Sequence, residues 1–424
     1  MKKIRKFESF AWSMSFVGTG IGAGILFLPV QAGIGGVKCF LLSAVVAFSF
    51  SYISHKIYAK LAIDSEKPKD YPGIIREHLG SKFSLIMAIL FFILVFLYLV
   101  VYIIGLNVAV GSFLFNLGVT STHLNETIWF PLLILFILLS LMSCNEKVII
   151  KIMSIITFPL ILMLIFLAFY LIPHWDITNL TRVPSIDTFT STFFYNIPIL
   201  IFAAMFFPPI TTMVTIYKKQ TDLKTAEVTA YRTIKIAQFI LLGFTIFFTI
   251  SCVMATNPTV VRKALNSNES ILLVLSTMYE ARMLKYFAPF IAIFAIITSF
   301  LGYYIGAKEI AKNLIKKYLQ SSKNNLSIDD VLEKANSRKT LLMINVAIGI
   351  VLLFVAVANM NIEKIMQEVC GPLTAIILYF VPFYILKTSP KYKNFGKFGL
   401  WFLFLGGFLL IFAYILGYIA SKLL

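Results

Sequence analysis

Phe16-Val17-Gly18-Thr19-Gly20-Ile21-Gly22-Ala23-Gly24-Ile25-Leu26-Phe27-Leu28-Pro29 places four glycines at every second position of an apolar span close to the N-terminus. Glycine weakens a helix and leaves its amides and carbonyls sterically open. At membrane depth, unwound backbone is tolerated only where protein covers it or where it lines a polar cavity. The stretch therefore predicts a helix that comes apart in mid-membrane to bind a small polar solute or ion.

The rest of the chain supplies the membrane. Its 424 residues are 59% hydrophobic and 13% charged, with a mean hydropathy of +0.89, outside the range of water-soluble domains. Apolar runs of about 20 residues, each able to cross about 30 Å of hydrocarbon as helix, recur throughout. They predict an all-α polytopic membrane protein with eleven spans, at 10–34, 37–56, 84–115, 127–144, 148–172, 193–216, 237–256, 286–307, 341–358, 368–386 and 399–420.

The net charge of +18 raises the question of a nucleic-acid partner. With the N-terminus inside and the loops alternating, 29 of the 37 Lys and Arg but only 12 of the 19 acidic residues fall on the inner face, leaving 8 and 7 outside. That asymmetry is a topology signal, so no nucleic acid is expected. It predicts a multi-pass membrane protein with its N-terminus in the cytoplasm and its C-terminus outside. The first span carries Gly and Pro breaks and no cleavage pattern follows it, so it is expected to persist in the mature chain. Cys39, Cys144, Cys252 and Cys370 lack metal or disulfide spacing, and no cofactor is expected beyond a bound coupling ion. The loop residues 268–285 read as a short helix over the outer entrance.

A second interruption lies in the sixth span, where Ile201-Phe202-Ala203-Ala204-Met205-Phe206-Phe207-Pro208-Pro209-Ile210-Thr211-Thr212 carries a proline pair. Proline removes backbone donors and clashes with the preceding turn. Two broken spans five apart point to inverted halves, because an odd number of helices inserts the second copy upside down, and paired broken helices mark the site of secondary transporters. The chain reads as one transporter domain over 1–424. Helices 1 to 5 (1–172) form one repeat, helices 6 to 10 (193–386) form the other, and helix 11 (399–420) is an addition.

At Gly18–Gly36, Ala288–Gly306 and Gly371–Lys387 the chain resembles the amino acid, polyamine and organocation superfamily, and more narrowly the bacterial hydroxy and aromatic amino acid permeases, the serine and threonine branch especially. The resemblance covers nearly the whole chain and implies the five-plus-five inverted-repeat fold with discontinuous helices 1 and 6, in a bacterial cytoplasmic (inner) membrane. It also implies that Gly22-Ala23-Gly24 presents free amides to a substrate carboxylate, which a half-helix N-terminus favours. Thr19, Gly20, Phe202 and Ala203 would offer carbonyls to the ammonium. Met205, Phe206 and Phe207 would face the side chain, with Tyr98 or Tyr102 closing over it.

Two departures from the branch matter. Its polar Ser-Phe-Asn-His-Ser-Pro stretch is replaced by Ala203-Ala204-Met205-Phe206-Phe207-Pro208, which argues against a site tuned to a hydroxyl. Its Lys-Ser and Gly-His pairs in the eighth span are replaced by Thr298-Ser299 and Gly302-Tyr303.

No acidic or basic residue falls inside the predicted first, third, sixth or eighth span, so the usual intramembrane proton carrier is missing. Ala295, Thr298 and Ser299 share one helical face. In sodium-coupled relatives of the fold this spacing supplies one carbonyl and two hydroxyls, which carbonyls of Gly18 and Ile21 complete. The coupling ion is thus Na+ or H+, with Na+ the working expectation.

The predicted function is ion-coupled import of a neutral L-amino acid, apolar or aromatic, by alternating access. The alternatives are a serine/threonine:proton symporter and, in another class, a channel or non-transporting sensor. An enzyme is not expected, since His55, His78, His123 and His174 all read as span ends or loops.

Overall fold

The computed structural model describes residues 6–22, 24–66, 70–121, 124, 127, 129–266, 271–279, 282–322, 333–358, 369–393 and 395–423. These residues are helical with short connections. Nine of their helices are long and apolar enough to cross a membrane, and Trp129–Met142 is a shorter apolar one.

In chain order the main helices are α1 (Lys6–Gly20), α2 (Gly24–Asp64), α3 (Tyr71–Asn116), α4 (Trp129–Met142), α5 (Glu146–Tyr170), α6 (Ile186–Ala203), α7 (Ile210–Gln220), α8 (Leu223–Met254), α9 (Pro258–Asn266), α10 (Ile271–Met278), α11 (Arg282–Ser322), α12 (Arg338–Ala358), α13 (Gly371–Thr388) and α14 (Lys397–Leu423). The helix expected between 268 and 285 is present as α10. The stretch 257–285, read as an outer loop, also carries α9.

Both predicted interruptions are present. Helix α1 stops at Gly20 and α2 starts at Gly24, while α6 stops at Ala203 and α7 starts at Ile210. Pro208 and Pro209 lack amide donors, which accounts for the second gap. A further kink lies inside α2 at Gly36, whose φ of 77° suits glycine, and whose missing Cβ would stand 3.1 Å from the Arg182 carbonyl oxygen.

Hydropathy misplaces several helix ends. Residues 57–83, read as a loop, are mostly helix, because α2 runs on to Asp64 and α3 begins at Tyr71, capped by the Asp70 carboxylate accepting from the Gly73 amide at 3.1 Å. Likewise α11 continues to Ser322, well past the predicted end at 307. Glu309 therefore stands in the same continuous helix, two residues past the predicted end of the eighth span.

The core runs through α1, α2, α3, α8 and α11, and Trp12, Phe16, Tyr98, Tyr102, Tyr303 and Tyr304 are among its largest buried side chains. Helices α12 and α14 expose rows of large apolar residues, among them Ile350, Phe354, Trp401 and Phe408, as lipid-facing surfaces do.

Candidate functional site

The two gaps meet. A Cβ on Gly20 would lie 3.1 Å from the Ala203 carbonyl oxygen, and one on Gly24 would lie 2.9 Å from the Phe202 ring. On Gly22 it would stand 3.0 Å from both the Tyr102 and the Ser299 hydroxyl oxygens. Gly20, Gly22 and Gly24 thus sit where backbone from α1 and α2 is pressed against α3, α6 and α11. Ala23, expected between two of them, lies outside the described residues.

The unwound backbone of the sixth span finds its partners on α2. Ser51 Oγ donates to the Ala204 carbonyl at 3.0 Å, and the Phe206 amide donates to His55 Nε2 at 3.1 Å. An amide N–H is met only by an unprotonated ring nitrogen, so the His55 proton sits on Nδ1, 2.6 Å from the Ser51 carbonyl that accepts it. His55 is 1% exposed and stacks on Phe206 at 4.3 Å. The reading of this histidine as a span end is therefore corrected: it is an interior partner of the second gap.

The aromatic residues divide into two groups. Phe202 stacks on Tyr98 at 5.2 Å and faces Tyr102 at 6.4 Å, and Tyr303 stands 4.5 Å from Tyr98, 5.7 Å from Tyr102 and 6.1 Å from Phe207. Phe206 turns the other way, stacked between Phe16 at 4.8 Å and His55. Met205 is buried, and neither it nor Phe206 shares a ring contact with Tyr98 or Tyr102 among the described residues. The polar edge of the first group comprises Tyr98 Oη at 3.3 Å from Thr374 Oγ1, and Tyr303 Oη, which has no hydrogen-bond partner among the described residues.

Beside the first gap lies a hydroxyl cluster. Ser299 Oγ donates to the carbonyls of Thr19 at 3.0 Å and Gly18 at 3.2 Å, which joins α11 directly to α1. Thr298 Oγ1 donates within its own helix to Phe294 at 2.8 Å and Ala295 at 3.1 Å. A Cβ on Gly18 would fall 3.1 Å from the Thr298 Cβ and 2.1 Å from Thr157 Oγ1. Gly18, Ala295, Thr298 and Ser299 are thus brought together, with Ile21 one turn on and its amide still bonded to Val17 at 2.9 Å. Each hydroxyl oxygen keeps lone pairs while donating its proton, so the donor set suits a hard, oxygen-seeking cation.

Sequence reasoning missed Thr157, His55, Thr374 and the inward place of Tyr303. Only Tyr303 had a signal, as a departure from the resembled pattern. A shallow surface depression lined by Gly33, Asn179, Arg182, Val253 and Val261 lies elsewhere and shares no lining residue with either gap.

Residues 6–419 match the model of the tryptophan/tyrosine permease family. The serine transporter SdaC of Escherichia coli K12 is 29% identical over 394 residues, covering 91% of this chain and 89% of that protein. A probable serine transporter of the same strain is 25% identical over 412 residues (96% and 91%), and its inner membrane transport protein YqeG is 26% identical over 404 residues (94% and 96%). A family match over nearly the entire length, on a helical membrane protein with two facing helix breaks, makes this chain a member of the tryptophan/tyrosine permease family, an amino acid transporter and not an enzyme.

Proposed function

We propose that the protein is a secondary active importer of a neutral L-amino acid with an apolar or aromatic side chain, working by alternating access in a bacterial inner membrane. The observation that carries the reading is the meeting of the two gaps around Gly20, Gly22 and Gly24, with Phe202, Tyr98, Tyr102 and Tyr303 on one side. The open amides near Gly22 suit a carboxylate, and the carbonyls of Gly20 and Ala203 suit an ammonium. The rings pack on one another here, so substrate entry turns them apart.

In this reading α1 with the first part of α2 makes one crossing, and α6 with α7 makes another. That gives eleven crossings, two inverted halves of five, and an N-terminus in the cytoplasm. Sodium is the coupling ion, taken between Gly18 and Ile21 on one side and Ala295, Thr298 and Ser299 on the other, with Thr157 adjacent.

A second substrate reading, serine or threonine, is favoured by the named relatives and by the Tyr303 hydroxyl, a ready partner for a substrate hydroxyl. Competition of labelled L-phenylalanine and labelled L-serine uptake by all twenty amino acids separates the two. The first reading expects phenylalanine, tyrosine, tryptophan and leucine to compete best; best competition by serine and threonine replaces it with the second. Uptake in sodium-free buffer at constant pH tests the ion: undiminished transport removes sodium from the account.

A further inference from the structure

One face of α11 touches both gaps in succession. Ser299 bonds to α1, a Cβ on Gly302 would stand 2.1 Å from Thr19 Oγ1, and one on Gly306 would stand 2.4 Å from the Pro208 Cβ. One turn further on the same face, Glu309 Oε2 accepts from Thr211 Oγ1 at 2.8 Å and Thr212 Oγ1 at 3.1 Å. These threonines open α7, so the carboxylate sits at the N-terminus of the second half of the broken sixth span. Among the described residues no basic group lies within 4.0 Å of it.

Its charged and titratable neighbours come from several helices: Asp70 before α3, Glu146 at the start of α5, Tyr58 on α2 and Lys316 on α11. The nearer lysines on α11 are directed elsewhere, Lys308 over the Tyr304 ring at 5.7 Å and Lys312 toward Glu146 at 3.4 Å. Asp70 is itself a buried acid, and burial raises its carboxyl above the ordinary range. An ionised Glu309 thus has two hydroxyl donors and a helix dipole in its favour, and two acids and a partly buried setting against it.

We propose that Glu309 is a proton-binding site of the transport cycle, whose ionised form clamps α7 to α11 and whose protonated form releases it. This rests on the transport reading above. The carboxylate accepts from both threonines and complements the positive end of α7; a proton on it removes the charge and weakens both interactions. The other end of α7 is tied by Lys218 Nζ, which donates to the carbonyls of Ile63 at 2.9 Å and Ser65 at 2.6 Å, so Glu309 controls the end nearest the substrate site.

The test uses the full-length protein in proteoliposomes, with uptake of the amino acid chosen by the competition assay measured at fixed sodium over a range of pH. Release by protonation predicts that wild-type uptake falls about tenfold per pH unit above its transition. Glu309→Gln stays neutral and is expected to bind and exchange substrate with a flat pH profile, while Glu309→Asp keeps the slope. A Thr211→Val, Thr212→Val double variant removes the donors that favour the ionised form, and so moves the transition to higher pH with Glu309 intact. A wild-type slope retained in Glu309→Gln, or an unmoved transition in the double variant, overturns the proton site while substrate binding still upholds the transport reading. A wild-type protein that neither binds nor takes up any amino acid overturns both.

Discussion

His55 shows how one side chain holds open an interruption that would otherwise be ruinous. The Phe206 amide has no helical acceptor because the backbone leaves the helix after Ala203, and in an apolar interior an unpaired amide costs about 1–3 kcal/mol. The imidazole accepts that bond and stacks on the same residue's ring. His55→Ala should therefore lower stability by about that amount and depress uptake, whereas His55→Gln, whose side-chain carbonyl also accepts an amide, should recover part of both. Thermal melting in detergent beside an uptake assay checks this, and an alanine variant that melts like the wild type removes the role. Nothing local in the sequence signals this partnership: His55 and Phe206 are 151 positions apart, and only the packing of α2 on the gap joins them. Thr157 was hidden for the same reason. Phe206 was legible as part of a gap but not in its direction, because unwound backbone has no helical periodicity from which to read a face.

At the scale of elements, α11 is the part against which both broken spans are fitted, and its glycines set the fit. Gly302 and Gly306 are four residues apart, the spacing that lets membrane helices approach closely. Alanine at 302 would drive a methyl into Thr19, whose hydroxyl is committed to the Ser15 carbonyl at 2.8 Å. Forcing a group into a packed site costs about 1–3 kcal/mol, and here the displaced residue belongs to the turn that ends α1. Gly302→Ala should abolish uptake with reduced thermal stability, while Gly243→Ala on α8, with open space around it, should keep both. Equal behaviour of the two variants would show that close approach at Gly302 is dispensable. The gaps themselves were readable because glycine and proline act on their own backbone. The extent of α11 was not: after Gly306 come Lys308, Glu309 and Lys312, and hydropathy treats a charge as water-facing whether or not a neighbouring helix covers it. The same averaging hid the first turns of α3.

For the whole molecule, charge asymmetry and helix breaks make a joint claim that neither makes alone. Nine helices satisfy a length and hydropathy threshold among the described residues, an odd number that by itself also puts the termini on opposite sides. The proposed count is eleven, because α4 is short and because α1, ending at Gly20, crosses only together with the first part of α2. The two counts differ at specific loops. If α1 with the start of α2 makes a crossing that precedes Val37–Asp64, the residues around Gly36 face outward; if α2 were the first crossing from a cytoplasmic start, they would face inward. Lys38 beside this kink is one of the few basic residues assigned outside, while Lys224 in the first turn of α8 and Lys391 before α14 belong to the basic inner face. In a background free of the four native cysteines, single cysteines at Lys38, Lys224 and Lys391 should therefore divide under a membrane-impermeant thiol reagent applied to intact cells. Lys38→Cys should be labelled, and Lys224→Cys and Lys391→Cys only after the cells are opened. Labelling of Lys224→Cys from outside would break the inside assignment of the basic loops. Protection of Lys38→Cys, with the two other sites behaving as expected, would remove the first broken crossing and with it the inverted pairing of the halves.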